Sequence, residues 1–149
     1  MDIPRTILVA TDFSPNAVRA VSYAVHLARA LGARCIIAHA YRAPLLSLRE
    51  GTTVRVDDIL LQLEVEARAK LEETRTAHRS ILPALEWRVV HGDPRDAILL
   101  LAGAEAADLL VVGSRGLGGA ARLLLGSVAT YIVRHATCAV LTVPSTPNP

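Results

Sequence analysis

The chain predicts an α/β fold built on a single doubly wound parallel sheet of five strands, with helices on both faces. Three observations carry that expectation. Five short apolar runs alternate with stretches of helical periodicity, as strands and crossover helices do in a parallel sheet. The length, 149 residues, suits one domain. The composition is 52% hydrophobic and 20% charged but only 3% aromatic, so the core must be built from Val, Ile, Leu and Ala.

The elements follow in order. Thr6 to Thr11 (TILVAT) is apolar enough for a buried strand. Ser14 and Pro15 supply an N-cap and a proline at the first helical position. A helix is expected from Pro15 to Leu31, ended by Gly32, with Val18, Val21, Ala24, Val25 and Ala28 on one face. Arg34 to Ala40 is the second strand. Residues 41 to 54 read as a long connection without periodicity, and loops of that length often carry function. A charged helix is expected from Val56 to about Ser80, with Ile59, Leu60, Leu63, Ala67 and Leu71 on its apolar side. Leu85 to His91 alternates, which marks a half-exposed strand at a sheet edge. Asp93 and Pro94 cap and open a helix that reaches about Glu105. Asp108 to Gly113 is the fourth strand, residues 127 to 136 a short helix, and Cys138 to Pro144 the fifth strand. Residues 145 to 149 read as a disordered tail, so one domain spans 1–144.

The first and fourth strands are the most apolar and are expected at the centre. Doubly wound sheets bind ligands at the carboxyl ends of strands where the order reverses. If these two strands are neighbours, Thr11, Asp12 and Gly113 share one crevice.

The most informative local pattern is Val111-Val112-Gly113-Ser114-Arg115-Gly116, followed after nine intervening residues by Gly126-Ser127. A strand runs into a glycine turn and the chain re-enters a helix at Ser127. Glycine permits close backbone approach and positive φ. A helix start presents unpaired N–H groups and the positive end of its dipole. Together they suit phosphate, above all that of a nucleotide. Three glycines at this spacing followed by Ser or Thr arise by chance in about one chain in two hundred of this length. Arg115 and Arg122 lie inside the loop and could reach phosphate oxygens.

Other chemistries are disfavoured. Net charge is +2 with the charges interspersed, and aromatics are scarce, so no nucleic-acid or anionic-membrane surface is expected. Lys70 is the sole lysine and no Gly-Lys-Ser/Thr occurs, which excludes a P-loop. Gly116 to Ala121 fits G-x-G-x-x-A superficially, but only one strand follows it, against the order a dinucleotide fold requires. Ser114 lacks the glycine two residues earlier that a nucleophile elbow needs, since that position is Val112, and no acid lies downstream. Cys35 and Cys138 have no metal-ligand spacing and read as small buried apolar residues. His39 and His91 both lie near strand ends and could face one crevice, but no third metal ligand accompanies them. No apolar stretch is long enough to span a bilayer and no signal segment is visible, so a reducing cytoplasmic location is expected.

Gly113, Gly116, Gly126 and Ser127, with the opening Ile7-Leu8-Val9-Ala10-Thr11-Asp12-Phe13-Ser14 and the closing Ala139 to Pro144, resemble the universal stress protein family over nearly the whole chain. The resemblance implies strand order 3-2-1-4-5 and ATP binding. It implies that Asp12 contacts the ribose or adenine edge and that Ala40 lines the adenine pocket. Val112, Gly113 and Gly116 would wrap the ribose and phosphates, and Gly126, Ser127 and Val128 would hold phosphates and adjoining atoms. It also implies a homodimer through the edge strand Cys138 to Pro144, whose uncovered edge is itself prone to pairing. The function expected is an ATP-binding stress-response or signalling protein, with Mg²⁺ accompanying the phosphates. A slow ATPase or autophosphorylating enzyme, and an interaction module independent of nucleotide, are the alternatives.

Overall fold

The computed structural model describes residues 2–44, 55–115 and 125–145. Gly116 and Arg122, most of the 41–54 connection, and tail residues 146–149 lie outside the described residues.

The elements are β1 (Thr6–Ala10), α1 (Pro15–Leu31), β2 (Arg34–Tyr41), α2 (Val56–Ala77), β3 (Glu86–His91), α3 (Pro94–Ala104), β4 (Leu109–Gly113), α4 (Ser127–His135) and β5 (Ala139–Val143). They form one parallel sheet in the order β3-β2-β1-β4-β5. Two helices, α1 and α3, begin at side-chain caps, and α2, entered at Arg55, does not. In α1 the Ser14 hydroxyl accepts from Ala17 N–H, Pro15 opens the first turn, and Gly32 closes the helix at φ 65°. In α3 the Asp93 carboxylate accepts from Arg95 N–H. By contrast α4 begins at Gly126 with no side-chain cap.

Alternate residues of the strands feed two cores, as the pleat requires. Ile7, Val9, Ile37 and Val111 face α1 and α2, packing with Val21, Val25 and Leu71. Leu8, Ala38, Leu110 and Val112 face α3 and α4, packing with Ile98, Ala102, Ala129 and Ile132. β1 sits at the centre of the sheet with β4 beside it. Its inner residues Ile7, Leu8 and Val9 are fully buried. β3, at one edge, is half-buried along its length apart from exposed His91.

Two side-chain expectations need correction. Val18 is 56% exposed, because the inner face of α1 runs through Asn16, Ala20 and Ala24 rather than through Val18. On α2 only Ala67 and Leu71 are buried, since this helix covers the half-exposed β3 edge of the sheet.

At the amino ends of β2 and β3, Arg34 and Arg88 interleave with Glu86 and Glu105 at 2.6–3.1 Å. Hydrogen bonds from Arg34 and then Arg88 hold the Glu86 carboxyl below its usual range against the opposing effect of burial. The bonds of Asp93 to the Arg95 side chain and backbone pull its carboxyl down to about 2. Its folded pKa is depressed, so its contribution is present above about pH 4, the unfolded value, and is lost as pH falls toward the folded one. Asp93→Ala is expected to cost about 1 kcal/mol at neutral pH through the lost cap. It should also flatten the decline in melting temperature below pH 4. Thermal melts across that range, with parallel profiles for the two proteins, would contradict this.

Candidate functional site

The crevice forms where β1 and β4 end side by side. Val9 pairs with Val111, so Thr11 and Gly113, two residues further on, leave the sheet together. The backbone of Thr11 is tied to β2 on both sides. Its N–H donates to Ala38 O at 2.8 Å, and its carbonyl lies 2.8 Å from His39 Nδ1. A carbonyl only accepts, so that nitrogen carries the hydrogen and Nε2 the lone pair. Burial lowers the pKa of His39, and the Thr11 bond and Asp12 offset this only partly. The imidazole is therefore neutral at pH 7.

Asp12 and Ser14 shape the turn into α1. Asp12 Oδ1 accepts from Ser14 N–H at 2.9 Å, an Asx turn, while Ser14 separately caps the helix. Between them Phe13 adopts φ 63°, a left-handed conformation costly for an aromatic residue. Its ring is held 4.6 Å from that of His39. The Lys70 ammonium sits 5.2 Å from the same ring's centroid. The sole lysine, distant in sequence from the glycines, thus comes to the crevice rim through α2.

On the β4 side, Ser114 N–H donates to Val143 O at 2.8 Å and Ser114 O accepts from Gly126 N–H at 2.6 Å. These two bonds set the start of α4 beside the end of β4. The Gly126 amide is thereby consumed, leaving Ser127 and Val128 N–H without a backbone partner among the described residues. Arg115 Nη2 is buried and has no hydrogen-bond partner among the described residues. Ala40, buried, and Val112, 3% exposed, face the α3/α4 core. The structure therefore brings Thr11, Asp12, Ala40, Val112, Gly113, Arg115, Gly126, Ser127 and Val128 to the carboxyl end of the sheet.

The family model of the universal stress protein family matches residues 4–144. The chain belongs to the universal stress protein family. A universal stress protein of Mycobacterium tuberculosis (strain H37Rv) is 38% identical, with 98% of this chain and all of that protein covered. A Thermus aquaticus universal stress protein is 37% identical over 93% of this chain and 98% of its own. The crystal structure of a universal stress protein in complex with cAMP is 34% identical, covers 97% of this chain and 100% of its own, and superposes with a TM-score of 0.72.

In this universal stress protein the sequence concealed one residue of the crevice, Asn16. It is 6% exposed. Its Nδ2 donates to Val143 O at 3.0 Å and its Oδ1 accepts from Arg115 N–H at 2.7 Å. Only one orientation of the amide satisfies both partners. The stripe Asn16, Ala20, Ala24, Ala28 at four-residue spacing was its available signal. His39 and His91 do lie on one face of the sheet, since Val89 pairs with His39 and His91 with Tyr41. Among the described residues, however, no group of three His, Cys, Asp or Glu could hold a metal ion. Cys35 is buried, which pushes its thiol up to about 12 and leaves it inert. A cavity of about 570 Å³ lies elsewhere, between α3 from Asp96 onward and the segment His135 to Cys138 at the end of α4. No described helix is long and apolar enough to cross a membrane.

Proposed function

We propose that this chain binds an adenine nucleotide, ATP with its Mg²⁺, and works as a small cytoplasmic stress-response or signalling protein. The observations that carry the reading are two sets of unmet donors: the uncapped start of α4, tied by the Gly126 amide to Ser114 O, and the buried, unpartnered Nη2 of the next residue, Arg115. An anion supplies what both lack. Charge placement supports it. The first turns of α2 and α3 contain Asp57, Asp58 and Asp96, whereas α1 and α4, which flank Gly113, contain no acid there.

In this reading Thr11, Asp12, Ala40 and Val112 receive the nucleoside. Gly113, Arg115, Gly116, Ser127 and Val128 receive the phosphates, and Gly126 contributes by shape, its N–H being engaged. Mg²⁺ would arrive on the phosphates, which supply its oxygen ligands. A second reading, cyclic AMP, is favoured by the cAMP complex of the 34% identical relative. Slow ATP hydrolysis or autophosphorylation stays the enzymatic alternative to binding alone.

Calorimetric titration with ATP–Mg²⁺ and with cAMP decides between these ligands. Arg115→Ala is expected to weaken ATP about tenfold or more, the worth of a hydrogen bond to a charged group. It should not lower the melting temperature of the free protein, where the buried donor is unpaired. Equal ATP affinity in the variant, or no binding by the wild type, defeats the ATP reading.

We also propose a homodimer through β5, the last strand of the sheet, whose Ala139 is exposed. Sedimentation at micromolar concentration should show twice the 15.9 kDa chain mass. A single monomeric species would refute it.

A further inference from the structure

We propose that Asn16 is a positioning residue of the nucleotide loop, fixing where the chain enters that loop and so setting affinity for phosphate without touching the ligand. The inference rests on the nucleotide reading above and adds to it a residue outside the glycine pattern. Three strand and helix ends meet at this one amide: the first turn of α1, the end of β4 and the end of β5. Val143 O accepts from Ser114 N–H and from Asn16 Nδ2, which uses both lone pairs of that carbonyl. Asn16 Oδ1 then takes the next free amide of the loop, that of Arg115.

Gly113 is shaped to receive it. A Cβ at Gly113 would lie 2.9 Å from Asn16 Oδ1 and 3.0 Å from its Cγ. The first glycine of the pattern therefore makes room for a buried amide of the protein. Asn16 and Gly113 form a matched pair, and the direction in which Arg115 leaves β4 depends on both. A hydrogen-bonded amide nearly withdrawn from water holds such a direction firmly, since an unsatisfied alternative is costly.

The test combines ligand titration with amide exchange on the full chain. In the wild type the Arg115 amide should be protected. Asn16→Ala should speed its exchange at least tenfold and weaken ATP at least tenfold, while adenosine, measured by competition, changes less than threefold. A general loss of structure would move both ligands alike. Gly113→Ala should act in the same direction, because its Cβ displaces Oδ1. The two changes combined should be less than additive, because the displaced atom is then already gone. Should Asn16→Ala not fold, Gly113→Ala read by the same two measurements replaces it. A folded variant that keeps wild-type ATP affinity, or keeps the Arg115 amide protected, overturns the proposal. If the wild type binds no nucleotide, the functional reading falls by itself. Unchanged Arg115 exchange in Asn16→Ala would then overturn the placement of Asn16 separately.

Discussion

Gly113→Val is expected to abolish measurable nucleotide binding and to destabilise the fold by about 2 kcal/mol, within the range for overpacking a close-packed site. Its Cβ would meet Asn16 Oδ1 at 2.9 Å, Asn16 Cγ at 3.0 Å and Arg115 O at 3.2 Å. None of these atoms is the loose end of a flexible chain. The amide is bonded at both of its polar atoms, and Arg115 O belongs to the backbone of the loop itself. Relief therefore means breaking the Asn16 bonds or swinging the loop outward. Either movement disturbs the amide and guanidinium groups assigned to phosphate. Urea denaturation gives the stability change and calorimetry the binding change. A variant with a wild-type denaturation midpoint and wild-type ATP affinity would show that the site tolerates the added bulk.

The same glycine shows how far the sequence could be read. Strand–helix alternation, the Ser14-Pro15 and Asp93-Pro94 starts and the Gly32 stop place the elements to within a few residues. The parallel sheet and its order 3-2-1-4-5 follow from alternation together with the family resemblance. These features are local or periodic, so a linear reading finds them. The reason for Gly113 is neither. Its steric partner is nearly a hundred residues away in the chain, on α1, and a pattern of glycines looks the same whether the vacated space admits a ligand or a buried amide. Asp12 carries a similar ambiguity: the family resemblance implies contact with the nucleoside, and the same carboxylate also accepts from the Ser14 amide. The approach of Lys70 to Phe13 depends on how α2 crosses the sheet, which neither residue type discloses.

Ile132→Ala should produce the second large effect, about 2–5 kcal/mol of destabilisation, the usual range for truncating a fully buried aliphatic residue. α4 has nine residues, too few to persist without tertiary packing. Only Ala129 and Ile132 are buried in it, and Ile132 is the larger, packing in the core of Leu8, Leu110 and Ile98. What else holds the helix is polar and more exposed. Tyr131 OH donates to Asp96 at 2.7 Å, and Arg95 lies 5.5 Å from the Tyr131 ring centroid. Those contacts tie α4 to the start of α3 but do not replace the lost apolar anchor. Because the Ser127 and Val128 amides are presented by this helix, loosening it should weaken ATP even under conditions where the variant remains folded. The expected signature is a lower urea midpoint together with a loss of ATP affinity that shrinks in a stabilising osmolyte such as sucrose, which favours the packed state. If Ile132→Ala loses stability as expected yet binds ATP as tightly as the wild type, the start of α4 is not what grips the phosphates.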